Sequence, residues 1–346
     1  MEYRTLGRTG VEVSAFCLGT MMFGDWGNRD VDDCVRIVHA ALDGGINFVD
    51  TADVYSQGES EEIVGRALKG RRDDVVLATK VHGRMGEGRN RSGNSRLWIM
   101  QEVENSLTRL GTDYIDLYQI HRPDPATDIE ETLGALTDLV HAGKVRYIGC
   151  STFPASEIVE AHWVSARNNL ARFACEQPPY SILVRHIERD VLAVTHRHGM
   201  GVIVWSPLAG GWLSGKYRRG ATVSDDSRAA RIGSYNRAVA PRFDLNLPVN
   251  QRKQELVEEL GLVADKAGLS LIHMANAFVL AHPAVTSSII GPRTMEQLRD
   301  LLEGADLSLD SETLDAIDEI VPPGTVVNDI DRGWTPPWMK PAARRR

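Results

Sequence analysis

Several features are missing from this sequence of 346 residues, and each absence closes a door. No stretch approaches the roughly 18 consecutive apolar residues of a membrane-spanning helix. The opening "MEYRTLGRTG" has no apolar core of the kind a secretory signal carries. Cysteine is scarce, with Cys17, Cys34, Cys150 and Cys175 the only four and no CxxC pair among them. A disulfide framework or zinc cluster is therefore not expected, and buried reduced thiols are. No large excess of charge is present: 39 Lys and Arg face 47 Asp and Glu, a net charge of -8. That balance argues against nucleic acid or an anionic membrane as the main partner. No G-x-G-x-x-G turn follows an early apolar run, so a doubly wound dinucleotide-binding sheet lacks its usual mark. Metal-ligand spacing is missing too, because His39, His141, His162, His196 and His198 fall on helical segments without partners. The expected setting is cytoplasmic, with no nucleic acid, membrane or metal partner and the oligomeric state open.

What is present is an alternation. Short apolar runs recur at 15–20, 46–52, 74–81, 114–121, 145–152, 173–180, 201–208 and 285–291. Between most of them lie amphipathic stretches such as "VDDCVRIVHAALDGG", with apolar residues at helical spacing and Gly44 as a stop. The runs are continuously apolar rather than alternating, as parallel strands covered on both faces are. Eight such strand-then-helix units predict an α/β fold, a (β/α)8 TIM barrel, over one domain spanning 1–346. Residues 1–14 read as an N-terminal β-hairpin closing the barrel bottom. Residues 308–321 read as an extra C-terminal helix. A long polar loop, 209–249, follows strand seven, and 322–346 is an irregular, Pro-rich tail. Smaller expectations follow from the same patterns. Ser60 caps a helix whose start, "GESEE", is solvated. Leu97, Met100, Val103, Leu107 and Leu110 share the buried face of another helix.

In such barrels the chemistry sits at the C-terminal strand ends, so the polar residues there are the candidates. Strand two ends on Asp50, and its loop carries Tyr55. Strand three ends on Lys80 and strand four on His121. A tyrosine titrates near 10 in water, and burial alone drives it higher. An ammonium beside it favours the phenolate, and a carboxylate keeps that ammonium charged in an apolar pocket. Asp50, Lys80 and Tyr55 thus compose one polarised general acid, with His121 placed to orient a carbonyl oxygen. Further strand ends offer Ser151 and Thr152, Gln177, and Trp205 with Ser206. After strand eight, Gly291 and Arg293 lead to a helix start at Thr294, a site suited to an anion.

The segments "GINFVDTADVYSQGESEEIVG", "LATKV", "IDLYQIHRPD", "VWSPLAGGWLSGKY" and "IIGPRTMEQL" resemble, in that order, the signatures of the aldo-keto reductases. The resemblance runs over about residues 1–305. It implies a catalytic tetrad of Asp50, Tyr55, Lys80 and His121, and NADPH/NADP+ as cofactor, without metal. It places the nicotinamide amide on Ser151, Thr152 and Gln177, and the ring against Trp205. The pyrophosphate falls to Ser206, Leu208, Gly210 and Lys216. Gly291 and Arg293 fall at the adenosine 2′-phosphate and Gln297 beside the adenine. One departure stands out. The family often has Glu-Asn shortly after this glutamine, and here the chain reads Asp300-Leu301, which weakens the adenine contacts the resemblance would otherwise imply.

The implied reaction is reduction of an aldehyde or ketone to an alcohol by hydride transfer, with a small-molecule carbonyl as partner. Met22, Trp26 and His82 are the substrate-side candidates, because loops at the strand ends carry specificity. The alternative is an NADP(H)-binding regulatory subunit of low turnover, like the potassium-channel β-subunits that look similar.

Overall fold

The computed structural model describes residues 1–217, 227, 229–231, 237–339 and 343. Eight parallel strands close into a barrel: β3 (Phe16–Gly19), β4 (Phe48–Asp50), β5 (Val76–Val81), β6 (Ile115–Ile120), β7 (Val145–Cys150), β8 (Phe173–Glu176), β9 (Gly201–Val204) and β10 (Ser287–Ile290). They neighbour one another in chain order, and β10 closes the ring by pairing with β3. Helices alternate with them: α1 (Val31–Asp43), α2 (Glu59–Leu68), α3 (Arg96–Leu110), α4 (Ile129–His141), α5 (Ala155–Asn168), α6 (Val191–His198), α7 (Pro248–Lys266), α8 (Leu271–Ala281) and α9 (Met295–Glu303). Among the described residues a further helix, α10 (Ser311–Ile320), is the extra C-terminal one. No helix among the described residues is long and apolar enough to cross a membrane.

The internal contacts group into two compact units. The first comprises 1–177, 191–204 and 283–306, and holds all eight barrel strands. The second comprises 178–190, 205–282 and 307–346. Part of the 209–249 loop and the last residues of the tail lie outside the described residues. Within the loop, short 3-10 turns form at Ala209–Ser214 and Arg237–Phe243, and α7 begins at Pro248, a residue suited to a first helical turn.

The hairpin is β1 (Tyr3–Thr5) against β2 (Glu12–Ser14). It delivers Leu6 and Val13 into a fully buried cluster with Cys17, Phe48, Ala78, Leu117, Cys175 and Ile203, closing one end of the barrel. Burying those two side chains is worth about 1.5–3 kcal/mol each. The fit is close enough to demand glycine at position 7: a Cβ there would lie 2.6 Å from the Gly199 carbonyl oxygen, and φ is +57°.

Strand side chains alternate, so residues two apart share a face. Four strands place an apolar residue in the basal cluster and a polar one a step above it: Phe48 and Asp50, Ala78 and Lys80, Leu117 and Gln119, Cys175 and Gln177. Parity alone therefore builds a polar layer over an apolar floor.

Two helix expectations need correction. α2 starts at Glu59, after Gly58 at φ +99°, so Ser60 lies inside the helix and does not cap it. The tight turn ahead of it carries the chain inward, so Ser60 is buried and bonds Thr20 and Thr51. Glu61 is also fully buried, not solvated, and pairs with Arg109, which also holds Glu102. On α3 the buried stripe runs through Trp98, Ile99, Glu102, Val103, Ser106, Leu107 and Leu110. Leu97 is 62% exposed. The Glu102–Arg109 pair draws the stripe one step around the helix, which an apolar count misses.

All four cysteines are buried and free, as expected. Among the described residues no group of His, Cys, Asp and Glu could hold a metal. His162 instead stacks on His198, with ring centroids 4.5 Å apart, and its Nε2 lies 3.1 Å from the Met200 sulfur. Burial, then the charges of His198 and Arg172, lowers its pKa to about 4.

Candidate active site

The polar layer converges on Lys80. Its side chain is fully buried, and its three N–H groups find three acceptors: Asp50 Oδ1, the Thr51 carbonyl oxygen at 2.7 Å and Tyr55 Oη at 3.3 Å. Burial opposes the ammonium, but Asp50 and Tyr55 together outweigh it and hold the lysine above its ordinary pKa. Because Tyr55 Oη accepts from Lys80, the phenol's own proton points elsewhere, to whatever sits in front of the ring.

The Tyr55 backbone is set by an unusual turn. Ser56 and Gln57 are left-handed, at φ +48° and +57°, and Gly58 follows at +99°. Each non-glycine residue in that region costs about 1–2 kcal/mol. The loop is held by Ser56, whose hydroxyl donates to the Phe23 carbonyl at 3.0 Å and accepts from Trp26 N–H at 3.2 Å. These bonds bring Trp26 beside Tyr55, ring centroids 6.1 Å apart.

His121 meets Tyr55 edge-on, with centroids 5.7 Å apart. Burial, reinforced by the charges of Arg122 and Lys80, pushes its pKa well below the usual value. That shift favours the neutral imidazole, which can donate one N–H. The four residues expected at strand ends are thus gathered into one constellation.

Asp50 is 2% exposed, and its second oxygen accepts from Gln119 Nε2 at 3.1 Å and Gln177 Nε2 at 2.8 Å. Gln119 was not singled out from the sequence. The signal was there: on β6 it stands two residues after Leu117 and two before His121, in register with Lys80. Gln177 lies in the barrel as expected, with its amide nitrogen turned to Asp50 and Gln119. Ser151 donates to the Gln177 carbonyl at 2.8 Å, and Thr152 adopts φ +62°. Behind them Glu176 accepts from Phe153 N–H at 3.1 Å, and burial raises its carboxyl to about 7.

The substrate-side candidates separate. Trp26 faces the tyrosine. Met22 uses its carbonyl to accept from Asn28 N–H at 2.7 Å, ordering the loop after β3. His82 is tied through Nδ1 to Asn94 at 2.9 Å. After β10, Thr294 caps α9 by accepting from Gln297 N–H, while Gln297 Oε1 accepts from Arg293 N–H at 2.8 Å. Gly291 is exposed and Leu301 buried.

In the second unit Trp205, Ser206, Leu208 and Gly210 are half-buried, and Lys216 is exposed. Ser206, Ala209, Gly210 and Gly211 all take positive φ, and Ser206 Oγ accepts from Gly210 N–H at 2.9 Å. Trp205, Ser206 and Gly210 line a small pocket with Pro179, Arg242 and Asp331. There Arg242 and the fully buried Lys253 both pair with Asp331, at 3.1 and 2.5 Å.

The sequence pattern of the Aldo/keto reductase family matches residues 15–322. The chain belongs to that family. An uncharacterized oxidoreductase of Bacillus subtilis, YrpG, is 40% identical over 93% of this chain and 96% of its own length. The aldo-keto reductase YhdN of the same organism is 36% identical over 99% of both chains. A probable voltage-gated potassium channel subunit beta of Arabidopsis thaliana is 36% identical over 93% of this chain and 97% of its own. As an aldo/keto reductase the protein is an oxidoreductase.

Proposed function

We propose that this aldo/keto reductase reduces aldehydes or ketones to alcohols with NADPH, using Tyr55 as the general acid. The observation that carries the reading is the fully buried Lys80 ammonium, bonded at once to Asp50 and Tyr55. As the phenol gives up its proton, that ammonium faces the developing phenolate, and Asp50 keeps the ammonium charged. His121, neutral, donates to the carbonyl oxygen and holds it in front of the phenol. Trp26 supplies an apolar wall beside the ring.

The residues fit a nicotinamide cofactor, which when bound supplies the hydride. Among the described residues nothing donates to the Gln177 side-chain oxygen, which suits an amide N–H. Ser151 and Thr152 adjoin it. Gly291 leaves room for close approach, since a Cβ there would meet nothing nearer than 4.0 Å. Arg293 beside the α9 N-terminus suits the 2′-phosphate that separates NADPH from NADH. Gln297 would lie near the adenine. The second unit's Trp205, Ser206, Leu208, Gly210 and Lys216 keep the roles the resemblance implies, ring stacking and phosphate binding. The same reading has a small-molecule carbonyl partner, no nucleic acid or membrane partner, and a cytoplasmic setting.

The test is loss of NADPH absorbance with a panel of aldehydes and ketones, for wild type and Tyr55→Phe. The expected result is turnover that falls by about 10²–10⁴ in the variant while NADPH binding is kept. Tight binding without turnover on any carbonyl would overturn the reductase reading and turn attention to a cofactor-binding regulatory role.

A further inference from the structure

A carboxylate accepts hydrogen bonds and donates none. In this barrel that asymmetry orients two amides. Asp50 Oδ2 draws the nitrogens of both Gln119 and Gln177, and Gln177 spends its second N–H on Gln119 Oε1 at 3.1 Å. The three residues form a closed triangle, and none is more than 2% exposed. Both amides are therefore fixed in rotation by the charge below them. One consequence follows at the top of the triangle. Gln177 Nε2 is fully used, so Oε1 is the polar atom it has left. Nothing among the described residues donates to that oxygen, and it is not among the sealed polar atoms. Through the same side chain it connects to Asp50, then Lys80, then Tyr55 Oη.

We propose that Gln119 is a positioning residue: it locks Gln177 as an acceptor for the carboxamide N–H of the nicotinamide, and so joins the cofactor seat to the proton-donating tyrosine in one hydrogen-bond network. This rests on the nicotinamide reading above. Gln119 touches neither ligand. Its two polar atoms hold Gln177 from one side and Asp50 from the other, so removing them frees the Gln177 amide to rotate about a single remaining anchor.

The test measures binding rather than turnover. Dissociation constants are measured for NADP+ and for its 3-acetylpyridine analogue, in which a methyl group replaces the carboxamide NH2. The proteins are wild type, Gln119→Met, Gln177→Met and the double variant. Methionine matches glutamine in length without its polar atoms. Wild type is expected to prefer NADP+ by roughly three- to tenfold, the worth of one hydrogen bond. Gln119→Met should cut that preference to less than about twofold, as should Gln177→Met, and the double variant should lower it no further. Should Gln119→Met fail to fold, Gln119→Asn, which withdraws the amide by one methylene, is expected to reduce the preference in the same direction. Loss of affinity for both dinucleotides alike, or an undiminished preference in the Gln119 variants, overturns the proposal. So does a wild type that binds both equally. A wild type that binds neither dinucleotide refutes the nicotinamide reading itself.

Discussion

Replacing Lys80 by methionine removes the cation at the centre of the site and leaves its volume nearly filled. Asp50 then stays buried, 2% exposed, with amide donors on Oδ2 and nothing charged on Oδ1. Breaking a buried ion pair by deleting one partner costs about 3–5 kcal/mol, because the other charge is stranded. Unfolding entropy of about 2.1 cal/mol/K per residue gives about 0.7 kcal/mol per kelvin for 346 residues, so the melting temperature should fall by about 4–7 °C in one cooperative transition. Adding Asp50→Asn removes the stranded charge, and stability should return to within about 1 kcal/mol of wild type. Activity should not return with it. Both variants lack the ammonium that faces the phenolate, and both should turn over at least about 100-fold more slowly. Calorimetry and NADPH oxidation on the four proteins of the cycle test the two halves separately. If Lys80→Met and the double variant melt together, the ion pair is not what the lysine's burial depends on. If Lys80→Met retains activity, the assignment of the acid is wrong.

Other outcomes follow from buried carboxyls. Burial raises Glu176 to about 7, above its value of 4.5 in water, so the folded state holds its proton longer than the unfolded state does. Stability is then lost as pH rises from about 4.5 to 7, by up to about 3 kcal/mol. Glu176→Gln should flatten that slope in denaturant titrations, and an unchanged slope would remove the group from the account. Asp53 is fully buried, with Oδ1 on Val54 N–H at 2.6 Å and Oδ2 without a partner among the described residues. Burial, then the charges of Glu61 and Glu102, raises its pKa well above the ordinary value. Asp53→Asn keeps the acceptor and cannot ionise, so its melting temperature relative to wild type should climb as pH rises from 5 to 8. A fall over that range would show the carboxylate to be needed.

The barrel was legible because its strands are apolar throughout and its helices are not, so each boundary coincides with a change of period. Asp50, Tyr55, Lys80 and His121 were legible because strand ends are where polar residues serve no core. What escaped were polar residues that do serve one. Glu61 read as part of a solvated helix start, since nothing local reveals that Arg109, on α3, pairs with it and with Glu102 in the interior. Ser60 read as a cap because the left-handed turn at 56–58, which shifts the helix start, depends on hydrogen bonds between the Ser56 hydroxyl and the backbone of Phe23 and Trp26. Gln119 was hidden in plain view inside an apolar strand. Its role is visible only once β4, β6 and β8 close around the same interior.

An aldehyde brought before Tyr55 would also come near a primary amine. Amines attack carbonyls through a free lone pair, and a neutral buried lysine there would condense to an imine. Lys80 has no lone pair to offer, since its raised pKa keeps it protonated and each N–H is committed to an acceptor. The arrangement that readies the tyrosine therefore also passivates the lysine. On the proposed reading, a reactive carbonyl could be held before Tyr55 without condensing with the lysine that its reduction would use.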